Sequence, residues 1–346
     1  MKKTLIAVAA LSAMAASAMA ANVTVYGKID QGVQVQNIKK TGQDSATTFK
    51  GKSGISSGSR WGLKGTEEIA DGYTVGFVLE SGFDGFTGKS GQGSRLFGRD
   101  AFVTVGTPFG QLVVGRTGML SDGCTGDIIS GKSSPFGTTY GIAAATTTTF
   151  NNIYGGRTDN AVRYVSPKFA GVQVHAEYAN MNGAATASTK KRYGGVGVSY
   201  ANGPLYVAVA AETVRQEASS TLEDPKFYSL AANYDFGVAK VFAGYQYAKD
   251  TDPANNGVVF DKYNAGTLGV SAPVAGGTVM ASVAYRKGDA GVNDIKRMTG
   301  AIGYKYSLSK RTYLYTDVAY AKEEVKNTTK TSTKTTEFNV GLCHNF

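Results

Sequence analysis

From Val23 to Val35 the side chains alternate without a break. Val23, Val25, Gly27, Ile29, Gln31, Val33 and Val35 share one parity; Thr24, Tyr26, Lys28, Asp30, Gly32 and Gln34 share the other. A period of two places one set in an apolar medium and the other in water. A tilted strand of about 10 residues crosses a bilayer, whereas strands of soluble proteins usually run to about 5–6. The pattern returns in Tyr73/Val75/Phe77/Leu79, Val172/Val174/Ala176/Tyr178, Leu205/Val207/Val209/Ala211 and Tyr228/Leu230/Ala232/Tyr234. It recurs in Val241/Ala243/Tyr245/Tyr247, Val279/Ala281/Val283/Tyr285 and Met298/Gly300/Ile302/Tyr304/Tyr306. Tyrosines at the ends of such runs suit the two membrane interfaces.

Connections of two kinds separate the runs, and they alternate. Short turns lie at 69–72, 107–110, 167–171, 201–204, 235–238, 273–277 and 307–310. Long polar stretches cover roughly 37–58, 84–94, 117–158, 180–190, 214–224, 249–261, 287–294 and 323–334. Seven turns and eight long connections make fifteen, hence sixteen strands. An even number of antiparallel strands, with short turns on one side and long loops on the other, is the layout of an outer-membrane barrel. Soluble sandwiches and propellers give no reason for that alternation. The chain ends on Phe338, Val340, Leu342, His344 and Phe346, alternating with polar or small residues. A last strand finishing on an aromatic residue suits closure against the first, which leaves no edge. The fold expected is all-β, a 16-stranded antiparallel transmembrane barrel.

One connection is far too long to be a simple turn. Between Thr117 and Thr158 the alternation stops and Gly118, Asp122, Gly123, Gly126, Asp127, the run Ser133-Ser134-Pro135-Phe136-Gly137 and four threonines from Thr146 to Thr149 take its place. A structureless stretch of this size inside a compact domain points to a functional loop. The third long loop is therefore expected to fold inward and narrow an aqueous pore.

Residues 1–20 read as an export signal: Lys2-Lys3, an apolar run from Leu5 to Met14, then Ala18-Met19-Ala20. The mature barrel would span 21–346 and reach the outer membrane through the periplasm. Its charge is 34 Lys+Arg against 26 Asp+Glu, or +8, once Lys2 and Lys3 are removed from 36. No apolar run after the signal is long enough for a spanning helix. Cys124 and Cys343 are in a compartment that permits a disulfide, but sequence cannot bring their Cα atoms into reach. With His175 and His344 the only histidines, no metal-ligand cluster and no cofactor are expected.

Several motifs then converge. Val23-Thr24-Val25-Tyr26-Gly27-Lys28, Arg60-Trp61-Gly62-Leu63-Lys64-Gly65-Thr66-Glu67-Glu68, Gly115-Arg116, the turn from Tyr306 to Thr312 and the ending Gly341-Leu342-Cys343-His344-Asn345-Phe346 resemble those of Gram-negative general porins, most closely the β-proteobacterial and neisserial branch. The resemblance covers the whole mature chain. It implies a homotrimer in the outer membrane of a Gram-negative bacterium, in contact with its lipid and lipopolysaccharide, passing small hydrophilic solutes and inorganic ions. The C-terminal Phe338, Val340, Leu342 and Phe346 would be the signal read by the barrel-assembly machinery.

Parity assigns the charges. Lys28, Arg60, Lys64 and Arg163 fall on the water-facing side, and a charge facing lipid at mid-depth would cost roughly 2–4 kcal/mol. Arg99 lies in a run that alternates weakly. In the resembling porins the positions matching Lys28, Arg60, Arg99 and Arg163 form a basic wall facing acids on the inserted loop. Related loops often carry Pro-Glu-Phe-Gly-Gly, but this one has Pro135-Phe136-Gly137 without an acid, while Lys132 adds a positive charge. Asp122 and Asp127 are the remaining acids. Excess base at a constriction favours anions. The alternative is that the arginines pair with Asp122, Asp127 or Glu80 and only stiffen the loop.

Rival functions fare less well. Nucleophilic catalysis needs a base beside a hydroxyl, and the one candidate, His175 near Glu177, reads as ordinary lumen decoration. The basic charge is spread over many strands with no stripe or module, which argues against nucleic acid. A substrate-specific outer-membrane channel or a surface adhesin is the stronger competitor.

Overall fold

The computed structural model describes residues 23–121, 124–150, 156–181, 191–215, 223–251 and 259–346. Strand β1 (Thr24–Lys40) pairs antiparallel with two successive segments, β2 (Ala46–Ser53) and β3 (Arg60–Ala70). Those two are one barrel stave broken at 54–59, so seventeen segments make sixteen staves. The others follow in chain order: β4 (Tyr73–Gly82), β5 (Asp100–Thr107), β6 (Gly110–Gly118), β7 (Arg157–Val165), β8 (Val172–Asn180), β9 (Arg192–Asn202), β10 (Leu205–Arg215), β11 (Lys226–Asp235), β12 (Lys240–Lys249), β13 (Lys262–Val274), β14 (Gly277–Ala290), β15 (Asn293–Ser307), β16 (Thr312–Lys326) and β17 (Lys330–Asn345). Each pairs with its chain neighbours. The last closes on the first, from Lys28 opposite Asn345 to Lys40 opposite Thr333. The sheet has no free edge.

The burial pattern is that of a soluble protein turned inside out. Val103, Val114, Val162, Val174, Leu230, Leu268, Ile302 and Val340 point outward and are exposed, whereas Asp30, Gln34, Asp100, Glu177, Asp317 and Asn339 are buried. In water an apolar surface of that extent would drive association; in a bilayer it is solvated by acyl chains. No helix among the described residues is long and apolar enough to cross a membrane. The strands carry the chain across.

Several expected loops turn out to be strand. The stretch 37–58 is mostly β1 and β2 joined by a turn at 41–45; 287–294 is two strands meeting at Gly291-Val292; 323–334 leaves only 327–329 unpaired. Beyond the bilayer both faces of a strand are wet, so the apolar period fades while backbone pairing continues. Lys326 still stands opposite Lys330.

Candidate functional site

The connection between β6 and β7 folds into the barrel. Ala143, Ala144 and Ala145 are wholly buried. Ser282 Oγ donates to Ala143 O at 2.9 Å, Thr148 and Thr299 hydroxyls meet at 2.7 Å, and Asn233 Nδ2 donates to Lys132 O at 2.9 Å. Tyr206 OH donates to Ile128 O at 2.8 Å. These partners lie on β10, β11, β14 and β15, so the loop lies against that side of the lumen; apart from its bonds to residues 54–59 and from Thr125 to Asp100 of β5, it leaves the β1–β6 side open.

Aromatic rings fix its far end. Phe136 meets Tyr140 edge-on at 5.4 Å, and Tyr140 meets Tyr315 of β16 in the same way at 5.4 Å. Pro135-Phe136-Gly137 is thus an anchor, with Gly137 at φ +64° supplying the bend. Thr139 Oγ1 donates to Ser56 O, and the Tyr140 amide donates to Ile55 O. Those acceptors lie in the 54–59 break. The break is itself held by Asp30, whose Oδ2 accepts the Ser57 amide at 2.6 Å and whose Oδ1 accepts Tyr315 OH at 2.5 Å.

A cavity of about 450 Å³ remains between loop and open wall. Arg60, Arg99 and Arg157 reach it from one side; Ser130, Thr138, Thr139, Thr146 and Thr147 face them from the loop, and Ser56, Ser57 and Gly58 from the break. No carboxylate lines it among the described residues. Lys28 stands directly opposite Arg60 across β1 and β3. Like charges so placed repel, and Glu80 moderates them from behind. Its Oε1 accepts Arg99 Nε at 2.5 Å, its Oε2 lies 3.5 Å from Arg60 Nε, and Tyr26 OH donates to Oε2 at 3.0 Å. The carboxylate orients both guanidinium groups and leaves them partly exposed to the cavity.

Other expected site residues are placed differently. Arg163 is on the inner face but sealed under the root of the loop, paired with Glu177 and donating to the carbonyls of Gly118 and Thr125. It holds the loop rather than lining the pore. Asp127 is no acidic counter-wall: Oδ1 accepts the amides of Ile129 and Ser130 at 3.0 and 2.9 Å, and Oδ2 the amide of Gly131 at 2.6 Å. Its carboxylate takes up the first amides of the short turn Ser130–Lys132. Asp122 lies outside the described residues. Lys132 sits over the Tyr206 ring at 5.7 Å. Lys64 is four residues along β3 from Arg60, about 13 Å toward the short-turn end at 3.3 Å per residue, with its ammonium over Tyr26. Cys124 lines the cavity, Cys343 is buried in β17, and the two share no disulfide. His175 Nε2 is 3.0 Å from Ser199 Oγ, while Glu177 serves Arg163 and Thr158.

Two features were hidden from the sequence. Arg157 falls inside the span read as loop, where a register shift between Gly115 and Thr117 and a left-handed Asn160 (φ +51°) destroy the parity that would have placed it. The inward turn of 54–59 follows from a break in pairing that carries only Gly54 (φ +71°) and Gly58 as its signal.

This architecture has relatives. The Gram-negative porin family profile matches residues 7–326. The chain is 32% identical to an outer membrane porin protein of Bordetella pertussis with both chains covered in full. It is 33% identical to outer membrane porin protein 32 of Delftia acidovorans, over 95% of this chain and 92% of that one. The anion-selective porin from Comamonas acidovorans superposes with a TM-score of 0.71 at 26% identity, over 94% of this chain and 100% of that one. The chain belongs to the Gram-negative porins, and is a general diffusion channel of the outer membrane.

Proposed function

We propose that this porin passes small anions in preference to cations, with Arg60, Arg99 and Arg157, backed by Lys28, as the selecting wall. The observation that carries the reading is the lining of the narrow cavity: three guanidinium groups, a set of hydroxyls and no carboxylate among the described residues. A guanidinium about 5 Å from a passing ion is worth roughly 1–3 kcal/mol between watery and protein-like screening. Low-dielectric walls focus that field. The superposable Comamonas porin is anion-selective, which supports the same direction. The reading extends to a homotrimer in contact with lipopolysaccharide, to export on residues 1–20, and to Phe338, Val340, Leu342 and Phe346 as the assembly signal. These last four point outward at the closing strand, where Phe346 exchanges backbone bonds with Gly27.

Cys124 gives the test. In folded protein carrying Cys343→Ser, its modification rate by a sulfonate-bearing thiosulfonate is compared with that by a trimethylammonium-bearing one, each normalised to the unfolded chain. A faster normalised rate for the sulfonate supports the reading. A faster rate for the cation contradicts it.

A further inference from the structure

The outer face of the barrel carries a basic patch that the channel function does not use. Along one rung, Thr213 of β10, Lys226 of β11, Lys249 of β12 and Lys262 of β13 stand directly opposite one another in succession. One rung further out, Arg192 of β9 stands opposite Arg215 of β10. All five basic residues share the outward parity of Tyr228 and Tyr245, and their side chains are exposed. Like charges directly opposite are destabilising unless something neutralises them. Asp250 lies 3.5 Å from Lys249 and Asp289 lies 3.6 Å from Lys262, while Arg192, Arg215 and Lys226 show no ion pair among the described residues.

Position identifies the partner's chemistry. The patch is at the long-loop rim, the extracellular side of such barrels. Tyr228 and Tyr247 occupy the next rung toward the membrane, where an interfacial belt is expected. At the opposite rim of the same strands the outward positions are Val172, Tyr200, Leu205, Tyr234, Val241 and Ala272, with no base among them. Beside the patch, a depression of about 830 Å³ lies between Tyr178 and Tyr228 above the small side chains of Ala176, Val196 and Ala211, with Lys226 at its head. An apolar trough ending in cations, on the outer leaflet only, matches an acyl chain ending in phosphate.

We propose that the outer face of β8–β13 binds one phosphorylated, multiply acylated glycolipid of the outer leaflet, its phosphates on Arg192, Arg215, Lys226, Lys249 and Lys262 and one acyl chain over Ala176, Val196 and Ala211. This gives a location to the lipopolysaccharide contact of the functional reading. Its readout is lipid binding, so a failure of anion selectivity would leave it standing.

The test is native mass spectrometry of the full porin refolded in detergent and titrated with bisphosphorylated lipid A, lipid A stripped of both phosphates, or phosphatidylglycerol. Bisphosphorylated lipid A is expected to bind in preference to both others. In Lys226→Gln/Lys249→Gln/Lys262→Gln its affinity should fall tenfold or more, with binding of the stripped form unchanged. Ala211→Trp, which fills the trough and keeps the charges, should weaken every acylated ligand. Equal binding of phosphorylated and stripped lipid A, or an unaffected triple variant, would overturn the proposal. So would phosphatidylglycerol binding as tightly as lipid A, or loss of the oligomer in Ala211→Trp, which would show a second copy on this face.

Discussion

Arg60 of β3 and Arg163 of β7 are the same residue type on the inward side of one barrel, yet their settings differ. The Arg60 side chain is 21% exposed and shares Glu80 with Arg99; the Arg163 side chain is 3% exposed and locked to Glu177. The inserted loop makes the difference. Where it crosses the wall, an inward arginine becomes a fastener; where it stands off, an inward arginine faces the pore. Strand parity puts a charge inside the barrel, and a segment remote in sequence decides what the charge is for.

The comparison can be broken first at the fastener. Arg163→Met leaves Glu177 buried and unpaired, and removal of one partner from a buried ion pair costs about 3–5 kcal/mol. The expected outcome is a lower midpoint of heat or urea unfolding, with ion preference kept in the fraction that folds. Phe136→Ala removes the first ring of the chain that runs through Tyr140 to Tyr315 and should cost about 3 kcal/mol. With the loop loosened, single-channel conductance should rise and become noisier.

On the open wall the ranking of effects reverses. Arg99→Gln should cost less stability than Arg163→Met, because Glu80 keeps Arg60 and Tyr26 as partners, but lower anion preference several-fold, because it removes a cation and uncovers Glu80. Arg157→Gln breaks no ion pair seen among the described residues, so it should change stability less than Arg163→Met and lower anion preference by a smaller factor than Arg99→Gln. Lys64→Gln should leave both quantities unchanged within error. Raising salt from dilute to molar shortens the screening length from about 30 Å to 3 Å, so the preference of the wild-type channel should fall along the same series.

Much of this is legible in the sequence. Alternation from Val23 to Val35 and its repeats gave the spanning strands, and the alternation of turn lengths gave their number, because lipid on one face and water on the other imposes a period of two. Where water wets both faces, as around Lys326 and Lys330, the period vanishes and paired strand reads as loop. Inward parity for Lys28 and Arg60 could be read locally. The burial of Arg163 and the turning of Asp127 onto its own backbone could not, since both depend on the path of the loop. Arg157 was missed for a related reason: the register shift at the loop root erases phase where the pore wall begins.

The sign of the charge at the narrow point decides whether the arginine wall selects. Reversal potential across a planar bilayer in a KCl gradient, for wild type and for Arg60→Gln/Arg157→Gln, reads that sign. The expected result is chloride preference in the wild type and a potential moved toward zero in the variant. Cation preference in the wild type, or an unmoved potential in the variant, would contradict the arginine wall as the selecting element.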